Sequence, residues 1–379
     1  MRRIITIISL FGCLTALGEE RVNMRGLQEG PYGDGFTVAK IYKSELELGF
    51  GIKRSPGEAR ARESNTILSG NSDLIKLTGA FGFHLNNIAK FQSFASFNLL
   101  NGSYSTNQGR HFKETIDTGV FEFGAGPSFS NGPILFGGAV SALVFLNEIR
   151  EVSWEEQKAK HTKSEAAVPI MRLFSGFNFG DTQLNFGLKV YNRQKVTKTI
   201  EMNDGTVISV DRTRSQPGTV WADLSFNASE SVRLSFGLTG YTRENSTENV
   251  DEANLGFSNT FDSSSAAREK DNSVFSFGGV YQANKHFSLL SSVHYISPSY
   301  SKTEYASLLR ENLGGYKIVV GSTANLNAAI FNFNAGYLIP ITEKFTVNDA
   351  VANTWADLGD NVSIEQSQWH MSLSGSFPF

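Results

Sequence analysis

The chain of 379 residues holds a single cysteine, Cys13, and only 9 prolines. One thiol excludes a disulfide framework and a cysteine-built metal site. Scarce proline leaves long stretches free to pair as strands. After the first eighteen residues the longest apolar run is Ile134 to Leu146, well short of the roughly 20 residues of a membrane-spanning helix. Any membrane insertion must therefore come from a closed sheet. No HExxH spacing and no phosphate-cradling glycine loop occurs. The six histidines, His84, His111, His161, His286, His294 and His370, are not joined by a serine or carboxylate motif that would make a nucleophile and base. No catalytic residue, metal site or cofactor is expected. With 34 Lys and Arg against 37 Asp and Glu, the charge balance argues against a nucleic-acid partner.

Residues 1–18, MRRIITIISLFGCLTALG, read as a secretory signal: Arg2 and Arg3 start it, Ile4 to Leu17 form the apolar stretch, and Ala16-Leu17-Gly18 is the cleavage site. Removing its two arginines takes the net charge from −3 to −5. Leu10-Phe11-Gly12-Cys13 also offers a lipoprotein-type processing site with Cys13 acylated. Residues 19–37, with Gly30, Gly33 and Gly35, form a periplasmic segment or a lumen plug, and residues 38–379 form one domain without a composition break.

What the chain does have is 30 phenylalanines, 36 glycines and a repeated two-residue period. In Gln183–Val190, Leu184, Phe186, Leu188 and Val190 oppose Asn185, Gly187 and Lys189. Val232–Arg243, Phe331–Ile339 and Trp369–Phe379 alternate in the same way, and no apolar face carries a charge. Short links fall at 86–90, 130–133, 180–182, 228–231, 284–286 and 327–329. Long polar links fall between them, at 54–73, 105–114, 148–165, 194–216, 244–272, 298–315 and 341–365. Strict alternation of short and long connections predicts an all-β, antiparallel transmembrane barrel of about 14 strands. Phe83, Phe91, Phe129, Phe179, Phe226, Tyr281, Phe287 and Phe379 gather at the short-link ends as an interfacial girdle. The stretch Val196 to Thr213 reads either as a hairpin turning at Asp204-Gly205 or as the tops of two long strands.

The expected lumen face carries Lys76, Glu122, Arg172, Lys189, Asp223, Arg233, His294 and His370, together with Glu45, Glu47, Arg193 and Arg243. These either line an aqueous path or pair across a filled interior. Substitution is expected to be tolerated better at lumen positions Gly187 and Gly237 than at lipid-facing Leu188 and Phe236. Fourteen tilted strands enclose a backbone cylinder about 28 Å across, too wide for wall side chains alone to fill. Two outer loops carry apolar residues at helical spacing: Tyr305, Leu308, Leu309 and Leu313 in one, Val347, Val351, Trp355 and Leu358 in the other. Leu255, Phe257 and Phe261 add apolar groups to the longest loop. These stripes read either as a lid or as a groove for an apolar ligand.

At its C-terminus the chain resembles Gram-negative outer-membrane barrel proteins, with Phe379 last and Phe377, Leu373 and Met371 before it. That resemblance implies location in the outer membrane, contact with its lipid, and recognition of the last strand by the barrel assembly machinery. The strand count, the N-terminal segment, the apolar outer loops and the stretch FSFGGVYQANKHFSLLSSVHY resemble the long-chain fatty-acid (FadL-type) transporters. This second likeness implies passive uptake of hydrophobic, fatty-acid-like small molecules. The rival readings are a water-filled general porin and a non-transporting barrel that binds a partner or serves structure.

Overall fold

The computed structural model describes residues 45–61, 67–86, 88–106, 112–154, 157–165, 167–191, 194–214, 218–241, 246–248, 273–297, 314–326, 328–346 and 361–378. Their strands are β1 (Glu45–Ala61), β2 (Ile67–His84), β3 (Ala89–Thr106), β4 (Phe112–Asn131), β5 (Ile134–Trp154), β6 (Gln157–Glu165) and β7 (Val168–Phe179). There follow β8 (Thr182–Tyr191), β9 (Gln194–Met202), β10 (Val207–Arg214), β11 (Thr219–Asn227), β12 (Val232–Tyr241) and β13 (Ser246–Glu248). The last are β14 (Ser273–Asn284), β15 (Phe287–Ile296), β16 (Gly315–Asn325), β17 (Ile330–Pro340), β18 (Glu343–Thr346), β19 (Asn361–Gln366) and β20 (Gln368–Pro378).

Fourteen of these form a closed antiparallel ring in the order β1, β2, β3, β4, β5, β7, β8, β11, β12, β14, β15, β16, β17, β20. The ring shuts where β20 returns to β1, from Glu45 opposite Pro378 to Arg54 opposite Trp369. Closure leaves no unpaired sheet edge in the membrane belt, which is what hydrocarbon demands of a β structure. The alternation in the sequence sets the two faces. Leu48, Phe123, Val140, Leu188, Phe236 and Met371 stand exposed on the outside, and their neighbours along each strand point inward.

Short turns join the strands at one end, at the six places the sequence marks. Asn86 makes one of them, its Oδ1 accepting the amides of Ile88 at 2.8 Å and Ala89 at 2.7 Å. Gly180 makes another in the left-handed region, at φ 63°, where a side chain is costly. Glu45 and Pro378 lie at this same end. Aromatic rings gather there: Phe83 with Phe91 at 5.7 Å and Phe129 with Phe136 at 5.1 Å. Phe226 departs from the girdle expectation. It is 1% exposed, buried under neighbours rather than presented to the interface. Phe379 lies outside the described residues, as do 1–44 with the expected signal, Cys13 and the N-terminal segment.

The other end is uneven, and here several expected loops prove to be strand. β1 and β2 stay paired up to Arg60 opposite Ile67, β5 and β6 form a hairpin across Glu148–Lys163, and β18 pairs with β19. β9 and β10 pair from Gln194 and Arg214 upward and turn at Asp204-Gly205, as the hairpin reading of that stretch has it. The Thr206 amide donates to Asp204 Oδ1 at 2.8 Å, holding that carboxyl below the usual aspartate range. The long links were overdrawn because strands above the membrane meet water on both faces and lose their apolar face. β1 to β5 run 17 to 21 residues, about twice the 9–11 that a bilayer needs. β14 to β17 run 10 to 12. Among the described residues, the strands are therefore longer along β1 to β5 than along β14 to β17.

Candidate functional site

All eight residues expected on the lumen face lie on inward positions and are buried: Lys76, Glu122, Arg172, Lys189, Asp223, Arg233, His294 and His370. Glu47 joins them. Arg193 and Arg243 lie outside the described residues, and the side chain of Glu45 is likewise not described.

Three polar groupings organise this wall. On β4, β5 and β7, Arg172 donates to Glu122 Oε1 at 2.5 Å and to Ser141 Oγ at 2.5 Å. Ser141 in turn donates to Glu122 at 2.7 Å, and the Arg172 guanidinium lies 5.1 Å from the Phe94 ring centre. This ion pair is dry, with side-chain exposures of 4% and 9%, so its geometry and extra hydrogen bonds must offset desolvation. On β8 and β11, Gln183 donates to Asn185 at 2.8 Å and Asn185 to Asp223 at 2.9 Å. On β14 and β15, Ser276 and Ser292 flank the His294 ring at 2.9 and 3.0 Å. Lys317 stands opposite His294 in register and is 3% exposed. Sequence reasoning passed over Lys317, although Tyr316, Ile318 and Val320 around it mark its phase.

The inward face also holds apolar groups. Val274, Ile296 and Leu338 pack into one buried cluster at the upper ends of β14, β15 and β17. Phe94, Ile170, Phe174 and Val319 are further buried apolar residues at inward positions. Aromatic groups lie against inward glycines: a Cβ at Gly137 would run into Phe174, and one at Gly187 into the Trp221 indole. The space over Gly187, where substitution is expected to be tolerated better than on the lipid face, is thus taken by Trp221. Most of the inward side chains of these strands are buried.

The expected mouth residues Leu255, Phe257, Phe261, Leu308, Leu309, Leu313, Val351, Trp355 and Leu358 lie outside the described residues. The segments that carry them connect β13 to β14, β15 to β16 and β18 to β19. Of these strand ends, those of β14 and β15 hold Val274 and Ile296 of the apolar cluster.

No family model matches the chain, and no curated protein matches it in sequence. Solved structures do match in shape. The Pseudomonas putida toluene transporter TodX aligns at TM-score 0.59 and 12% identity, over 94% of each chain. A Pseudomonas aeruginosa FadL homologue aligns at TM-score 0.63 and 10% identity, over 89% of this chain and 91% of that one. The Ralstonia pickettii toluene transporter TbuX aligns at 0.53 and 10%, over 89% and 90%. At such identities it is the architecture that is shared: the chain has the closed fourteen-stranded fold of these outer-membrane transport barrels.

Proposed function

We propose that the protein carries hydrophobic small molecules passively across the outer membrane. The observation that carries this reading is the buried apolar cluster of Val274, Ile296 and Leu338 on the inward face, at the rim where two of the outer segments attach, to β14 and β15. A water-filled porin has no use for buried aliphatic groups at its mouth, and its wall residues would be wet. The transport of toluene by barrels of the same fold supports the same class of cargo. In this reading Leu309, Leu313, Val351, Trp355 and Leu358 extend the apolar surface above the rim, with Leu255, Phe257, Phe261 and Leu308 beside them. The ligand is then held chiefly by burial of its apolar area, at about 25 cal/mol per Å².

The test is equilibrium dialysis of the detergent-solubilised full chain against radiolabelled dodecanoate. Saturable binding is expected, weakened at least fivefold by Leu309→Ala combined with Trp355→Ala, with heat-modifiable gel migration unchanged. Absence of saturable binding together with porin-sized conductance in a planar bilayer would replace this reading with the porin. Absence of both would leave a structural barrel.

A further inference from the structure

One row of cross-strand neighbours on the inner wall is unlike those beside it. It runs Ile296, Val274, Thr239, Trp221, Gly187, Phe174, Gly137, each residue directly opposite the next on the adjoining strand. Because strands in a barrel are tilted and staggered, such a row climbs the wall. Its uncharged stretch runs from Ile296, the last residue of β15 at the outer rim, to Gly137, three residues into β5 from a periplasmic turn, beyond which Ser128 and then Lys90 follow in register. The two glycines of that stretch each receive an aromatic ring laid along the wall.

The rows on either side carry polar and charged groups, interrupted below by Gly237 and Gly176 and giving way to Ala139 and Leu135 at the β5 end. Above it stand Arg172, Lys189 and Thr219; below it stand Asn185, Asp223, Ser276, His294 and Lys317. The apolar cluster at the rim contributes Val274 and Ile296 to the upper end of the row.

We propose that this row is the conducting track for cargo, guiding an uncharged alkyl chain or single ring from the rim cluster down the inner wall toward the periplasmic end. The inference rests on the uptake reading above and adds a route to it. On β8 and β11, where polar residues stand on both flanks, they confine an apolar body to a narrow path, since leaving it there means lying against charged groups that its hydrocarbon cannot solvate. Thr239 is the weakest apolar link and, being half-buried, the place where a charge interrupts the track most directly.

The experiment uses the full chain expressed in a Gram-negative host that lacks its own fatty-acid transporter, with uptake of radiolabelled dodecanoate as one readout and dodecanoate binding to purified protein as the other. Thr239→Arg is expected to lower uptake at least tenfold while binding at the rim stays within about threefold. Thr239→Val should keep uptake, and Gln282→Arg, inward and half-buried on the same sector but off the row, should leave it unchanged. If Thr239→Arg reduces the amount of assembled barrel, Thr239→Asp at matched barrel levels gives the same comparison. Unchanged uptake in the charged variant, or equal losses at Thr239 and Gln282, would overturn the track while leaving the uptake reading intact. A wild-type protein that neither binds nor admits dodecanoate would overturn the uptake reading, and the track with it.

Discussion

The Glu122–Arg172 pair sits where two charges would otherwise be stranded in a dry wall. Arg172→Met leaves the Glu122 carboxylate and Ser141 without their cation, and should cost about 3 to 5 kcal/mol of unfolding free energy. The double variant Glu122→Leu, Arg172→Met should recover most of that loss, because an apolar pair of similar volume needs no compensation. Denaturant titration of protein folded into lipid vesicles checks both. On the opposite face, Phe236→Arg places a guanidinium in hydrocarbon and should cost about 2 to 4 kcal/mol in the same assay. Gln282→Arg faces the lumen and should cost less than about 1 kcal/mol. Equal costs for Phe236→Arg and Gln282→Arg would contradict the assigned faces. Inward charged residues were legible in the sequence because a lone Arg, Lys or His between lipid-facing apolar neighbours has only one place to go. Trp221 and Val274 were not legible, because hydropathy alone cannot separate an apolar residue facing lipid from one packed in the lumen.

Among the elements, the ring strands and the extensions above them have different roles. β8 pairs directly with β11 from Thr182–Phe226 to Lys189–Thr219, so the β9–β10 hairpin is an addition to a wall that already closes without it. Replacing residues 194–214 with a two-residue Asn-Gly turn should therefore leave heat-modifiable migration intact and shift the melting temperature by only a few degrees. Collapse of the barrel would show that the hairpin supports the ring. The short turns were readable because each combines Gly, Asn, Asp or Ser with flanking alternation. The upper strands were not. Once both faces of a strand meet water, its residues carry the composition of a loop, and only hydrogen bonding to a neighbour distinguishes the two.

At the scale of the molecule, packing of the inner wall sets what passes. A bilayer trace on the refolded full chain should show no sustained porin-sized steps, since most inward side chains of β11 to β17 are buried. Large, persistent steps at low voltage would be the contrary result. The sequence carried the barrel class and the strand number because both follow from the solvent on each face. It did not carry the length of β1 to β5 beyond the membrane, because that depends on how far paired strands continue after the membrane has ceased to impose a pattern.

The seam between β1 and β20 has a consequence for how the chain reaches this state. Arg54 and Trp369 face each other across it, so the last contacts to form join residues separated by most of the polypeptide. Until they meet, a partly inserted sheet carries two bare edges in hydrocarbon, each exposing backbone groups at several kcal/mol apiece. Loop-closure entropy opposes their meeting and rises with the length enclosed. Closure at the seam should thus be the slow, all-or-none event in refolding. A disulfide engineered across Ile52 and Met371, which face each other in register, would time it: the cross-link should appear with the heat-resistant form, after strand signal has already saturated.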